Sequence, residues 1–203
     1  MPAAGIRTMR PMPLPAPRLA ATALLLTLLA GCASAPPAAV REYLDEQTAA
    51  SVTVAGDGIV FARPRTEYAV NARDYVTVVP VDVNRGGSHA LYLYCYVWST
   101  IERPNASEAP AQFALVADGR VIELAPAAAT PRAIGLGQAP VEPPALNARV
   151  LVAATTREAL GFLVKAQELS IAATRDDRTD RYALWADGRA ALVEFLQGPV
   201  PAR

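Results

Sequence analysis

The chain carries two cysteines and one histidine in 203 residues, so chemistry that needs several metal-binding or nucleophilic side chains has few places to assemble. His89 follows Ser88 beside a Gly-rich turn, and a Ser-His-acid triad would need a carboxylate from a distant segment. No Gly-x-Ser-x-Gly elbow accompanies the pair, which favours a polar residue at a turn. One histidine without a cysteine companion makes no zinc set. Asp176, Asp177 and Asp180 cluster in "TRDDRTDRY" at 174–182, but Arg175, Arg178 and Arg181 compete for their carboxylates. A solvated mixed-charge loop is expected there rather than a calcium loop. Gly135-x-Gly137 lacks the strand before and helix after that a phosphate cradle requires. Asn105-Ala106-Ser107 matches a glycosylation sequon by its letters alone. No catalytic constellation, metal or cofactor is expected.

The best lead is a stripe. Tyr92, Tyr94, Tyr96 and Trp98 recur at a period of two, which sets all four on one face of a strand. Flat aromatic faces stack on sugar rings or receive a partner peptide. They also pack beneath a covering layer with their polar tips reaching water. Packing is the favoured reading, because large exposed apolar patches are uncommon on soluble proteins.

The elements that would position these residues read as mainly strand. "VREYLDEQTAA" at 40–50 has Val40, Tyr43, Leu44 and Gln47 at helical spacing, so a short helix is expected. "SVTVAGDGIVFAR" reads as a hairpin turning at Gly56-Asp57-Gly58. In "DYVTVVPVDVNRGGSHALYLYCYVWST", a three-residue loop at Arg85-Gly86-Gly87 puts Asn84 opposite Ser88. Val81 then faces Leu91, Val79 faces Leu93, Thr77 faces Cys95 and Tyr75 faces Val97. The other side pairs Pro80 with Tyr92, Val78 with Tyr94 and Val76 with Tyr96. Pro80 donates no ladder bond, which places its strand at an edge or at a bulge. Cysteine is among the most buried residue types, so Cys95 is expected in the core.

"FALVADGRVIEL" is a third hairpin, turning at Asp118-Gly119. Residues 126–148 are rich in Pro and Ala without periodicity, either a crossing loop or a linker. "RVLVAA" reads as a strand. Thr155 and Glu158 form a capping-box signature for a helix over about residues 156–167 with Leu160, Leu163 and Val164 inward. "LSIAAT" and "RYALWADGRAALVEF" return to strands, turning at Asp187-Gly188. The whole predicts a mainly β, antiparallel, sandwich-like module with one late helix, a single domain over 40–203.

Basic and acidic side chains balance at 19 each. Without Arg7, Arg10 and Arg18 near the start, acids outnumber bases by three, which excludes the electropositive face of a nucleic-acid binder. Those three arginines precede the apolar run "LAATALLLTLLA", 19–30. As a helix this run spans about 18 Å, short of the roughly 30 Å hydrocarbon core. A basic start, a short apolar middle and small residues at the end make a secretory signal, with Met9 and Met12 as alternative starts.

Leu29-Ala30-Gly31-Cys32, placed where that run ends, resembles the lipobox of bacterial lipoprotein precursors. The resemblance covers residues 1–32 alone. It implies a signal peptide over 1–31, a diacylglyceryl group on the Cys32 sulfur, cleavage after Gly31 and, in diderm bacteria, acylation of the new amine. Two or three acyl chains hold a protein stably where one does so marginally. Ala33 stands where enterobacterial lipoproteins retained in the inner membrane carry Asp, which implies an outer-membrane anchor facing the periplasm in a diderm host. "ASAPPAA" is then a short tether ending near residue 39. With Cys32 acylated, Cys95 has no partner for an internal disulfide.

These readings converge on a non-enzymatic envelope lipoprotein whose module binds another envelope component. Two alternatives stand beside it. One is a glycan or peptidoglycan binder using the aromatic stripe; the other is a periplasmic hydrolase without a visible motif.

Overall fold

The structure is a computed structural model that describes residues 39–101, 112–128, 130–175 and 178–198. Within the described residues, turn chemistry sets off eleven strands. They are β1 (Val40–Asp45), β2 (Ala50–Ala55), β3 (Ile59–Pro64), β4 (Arg73–Arg85), β5 (Ser88–Ser99), β6 (Gln112–Ala117), β7 (Arg120–Glu123), β8 (Pro126–Ala128), β9 (Arg149–Ala154), β10 (Leu169–Arg175) and β11 (Arg178–Ala186). Two helices follow late, α1 (Arg157–Lys165) and α2 (Arg189–Gln197). The expected mainly β, antiparallel class is what is found.

All eleven strands join one branched sheet, in the order β7-β6-β10-β11-β3-β4-β5-β9-β8. The branch lies on β4. Its first half pairs with β3 and its second half with β2, which in turn pairs with β1. With Val54 opposite Val81 and Ile59 opposite Val78, residues 55–58 stand against Val79 and Pro80 alone. The expected hairpin at Gly56-Asp57-Gly58 is therefore a bulge in one long interrupted strand, and β2 never pairs with β3. Gly58 serves close approach: a Cβ there would meet the Thr77 methyl at 2.9 Å. Pro80 sits opposite this gap, where no ladder N–H is required. Its strand is thus interior, not at an edge.

The β4–β5 register corrects a second expectation. Gly86 and Gly87 both have positive φ, 57° and 86°, the conformation of a two-residue primed turn. Arg85 then faces Ser88, and Val79 faces Tyr94, Val78 faces Cys95, Thr77 faces Tyr96 and Tyr75 faces Trp98. The expected pairing is off by one residue. Alternation could not choose between the two registers, because both faces of this hairpin are buried and apolar over most of its length.

One face, here the helix face, carries Phe61, Val76, Val78, Leu93, Cys95, Leu115 and Ile171 beneath Leu160 and Leu163 of α1 and Leu192 and Phe195 of α2. The opposite face carries Val52, Val54, Val79, Val81, Tyr94, Tyr96 and Val152 beneath Ile134 and Leu136 of the 130–148 segment. Sandwich-like layering thus comes from helices on one side and a loop on the other. Each fully buried Leu, Ile or Phe in these cores contributes about 1.5–3 kcal/mol.

Three local expectations change. Residues 40–45 are a strand, not a helix, since pairing along β2 outweighs a weak helical spacing. Residues 189–197 are helix, not strand; Ala191, Leu192 and Phe195 share the stripe that packs inward. The α1 cap is Thr156, whose hydroxyl accepts the Ala159 N–H at 3.2 Å, one residue beyond the expected Thr155. The Asp118-Gly119 hairpin and the β9 and β10 strands lie where expected.

Candidate functional site

The aromatic stripe faces the strap, as residues 130–148 are called from here. Tyr94 and Tyr96 are 0% and 1% exposed, and their rings meet edge to face at 5.4 Å. The strap is laid over them by side chains from the sheet. Arg85 donates to the Ile134 carbonyl at 3.1 Å and also to the Gly135 carbonyl. Arg41 donates to Pro140 O at 2.7 Å, and the Tyr96 hydroxyl donates to Val141 O. Asp45 accepts the Gly137 N–H at 2.6 Å, and Asn147 donates to Ser99 O at 3.0 Å. Gly135 has φ 75°, and a Cβ there would fall on the Arg85 guanidinium; one on Gly137 would fall on Gln47. The Gly-x-Gly pair that makes no phosphate cradle is the strap's seat.

Electrostatics fit a closed cover. The Gly137 N–H holds the Asp45 carboxyl below its usual range, against an opposing cost of burial. Burial raises the Tyr94 and Tyr96 hydroxyls above theirs. Tyr43, on β1 beside them, is raised by burial too. The Tyr43 hydroxyl is buried without a hydrogen-bond partner among the described residues, and the buried Tyr94 hydroxyl has only that of Tyr96 as a polar neighbour. Tyr94 and Tyr96 therefore present no surface for a sugar or peptide, and the stripe-based glycan reading loses its central rings.

Beyond the strap the same face opens. Tyr75 stacks on Trp98 at 4.2 Å with 14° between planes. Trp185 meets Tyr75 edge-on at 6.1 Å, and the Arg73 guanidinium carbon lies 4.9 Å over the Trp185 ring. The β11–β3 register shifts between Leu184 and Ala186, making Trp185 the extra residue of a bulge. Bulges of this kind re-aim a side chain. Trp185 is 57% exposed. Of this group the sequence reading had singled out Trp98 alone, because Arg73, Tyr75 and Trp185 belong to three separate stretches of alternation that only strand pairing brings together.

His89 and Asp82 meet on the helix face. Nδ1 lies 2.6 Å from Asp82 Oδ2, and Asp82 is 2% exposed with its other oxygen unpartnered among the described residues. This is the acid–imidazole half of a triad. Among the described residues no hydroxyl is hydrogen-bonded to the ring, so no nucleophile completes it. The pair ties the start of β5 to β4.

The remaining candidates resolve into structure. Cys95 is buried, and loss of solvation pushes its thiol up to about 12, far from a reactive thiolate. Asp180 pairs with Arg63 and with Arg178 at 3.6 Å. Arg65 binds Asp74 in the same network. Asp176 and Asp177 lie outside the described residues, as do Asn105-Ala106-Ser107, Cys32 and Leu29-Ala30-Gly31. Among the described residues no group of three or more His, Cys, Asp or Glu could hold a metal ion, and no helix is long and apolar enough to cross a membrane.

The chain matches no protein-family model, no curated protein and no solved structure.

Proposed function

We propose that this protein is an envelope lipoprotein, held at the outer membrane by acyl chains on Cys32 and facing the periplasm in a diderm host. Its β-rich module binds another envelope component rather than catalysing a reaction. The observation that carries the reading is Leu29-Ala30-Gly31-Cys32 at the end of an apolar run too short to span a bilayer. Support for binding over catalysis comes from the engaged state of the reactive side chains, Cys95 in the core and His89 against Asp82.

The test is metabolic labelling with a fatty-acid probe. Wild-type protein takes up the label and runs in the membrane fraction; Cys32→Ala takes up none and is released. Equal labelling of the two would end the reading.

A further inference from the structure

We propose that the open end of the strap face is a binding site for a sugar bearing a carboxylate, formed by Trp185 and Arg73 with Tyr75 and Trp98 as their support. This rests on the reading of the module as a binder and not on its anchor. Four observations carry it.

First, the platform is rigid. Tyr75 is buried and clamped between Trp98 and Trp185, and the Trp98 indole N–H is fixed by the Thr77 hydroxyl at 3.2 Å. A ring held this way loses little freedom when a ligand arrives. Second, the bulge at Leu184/Ala186 sets Trp185 out on the face, and more than half of it remains open. The negative face of an indole attracts partly positive groups, and the C–H face of a pyranose supplies them.

Third, the charge at the site is a cation without a carboxylate. Among the described residues Arg73 has no acidic partner; its side chain makes one long hydrogen bond, to Asn71 O at 3.5 Å, and rests on the indole. The neighbouring arginines differ, since Arg63 and Arg65 are paired with Asp180 and Asp74. A guanidinium offers two parallel N–H donors that match a carboxylate. Fourth, the four side chains stand on β4, β5 and β11, none of them a terminal strand in the order of the sheet. A ligand lying on this face meets side chains, whereas an added peptide strand binds through the backbone of an edge. A flat, ring-shaped, anionic ligand suits both the surface and its charge.

The test uses the full chain as its host produces it, kept in detergent, with polygalacturonate as the carboxylated probe and dextran as the neutral one, read by retardation in affinity gels. Retardation by polygalacturonate and not by dextran is expected. Trp185→Ala should weaken it about tenfold or more, and Arg73→Gln should remove the preference for the charged probe while Arg73→Lys keeps part of it. Retardation unchanged in Trp185→Ala, or equal for both probes, overturns the site. No retardation by either probe overturns it too. Co-sedimentation with isolated envelope material then separates the two proposals, because sedimentation that survives Trp185→Ala keeps the binding module while removing this site.

Discussion

Tyr94 and Trp185 stand on one side of one sheet and have opposite surroundings. Around Tyr94, six side-chain hydrogen bonds draw a proline-rich loop across the strands, and the ring becomes core. Around Trp185 no described segment crosses, and a bulge sets the indole outward beside an arginine that has no acidic partner among the described residues. The difference is not in residue type, since both ends are aromatic. It lies in what has been laid over them. An aromatic stripe therefore reports that a sheet face is uniform, and the cover decides whether that face is packing or surface.

The contrast can be broken most directly at its buried end. Tyr94→Ala should cost about 3–5 kcal/mol in urea unfolding, the range for removing a fully buried aromatic ring. Tyr94→Phe should cost no more than about 1 kcal/mol, because the lost hydroxyl has only the Tyr96 hydroxyl as a polar neighbour. A large loss in Tyr94→Phe would show that the hydroxyl holds the strap and not the ring. On the opposite face, His89→Ala leaves the buried Asp82 without its hydrogen-bond partner, and an unfolding loss of about 1–3 kcal/mol is expected. A loss within about 0.5 kcal/mol would mean that the pair is not what holds β5 to β4.

The strap itself gives a smaller effect with a pH signature. Asp45→Asn should lower Tm by less than Tyr94→Ala and increase proteolysis within 131–141. The folded carboxyl titrates below its ordinary value of 3.8. Its contribution is complete above that value and is lost as pH falls through the lower folded one. The Tm gap between wild type and Asp45→Asn should thus be widest near pH 6 and close as the medium is acidified below about pH 4. A gap that does not narrow at all on acidification would assign the effect to packing. The smallest change belongs to the open end: Trp185→Ala should alter stability by no more than about 0.5 kcal/mol. If it costs as much as Tyr94→Ala, the two ends are alike and the contrast is false.

Much of the fold is legible where the cause is local. Asp118-Gly119 takes positive φ at both residues and turns β6 into β7 as its letters suggest. The same four letters, Ala-Asp-Gly-Arg, end β11 and start α2 at 186–189. There Asp187 accepts from the Arg189 backbone and side chain, and a helix follows. The motif specifies a change of direction, and the next partner specifies what comes after it. Gly56-Asp57-Gly58 makes the same point, for the loop demanded a bend and the shared edge of β4 made it a bulge. Of the candidate site, Trp98 was visible in the stripe, whereas Arg73, Tyr75 and Trp185 carry no joint signal because they are distant along the chain.

Residue chemistry near in sequence settles the glycine turns, the period-two faces, the predominance of strand and the short apolar segment ahead of Cys32, since each depends on φ preference or on burial counted over a few neighbours. Folding in three dimensions alone decides the β4–β5 register, the strand partners, the closing of the strap over Tyr94 and the exposure of Trp185 beside Arg73. These depend on contacts between segments tens of residues apart, whose energies no local pattern contains.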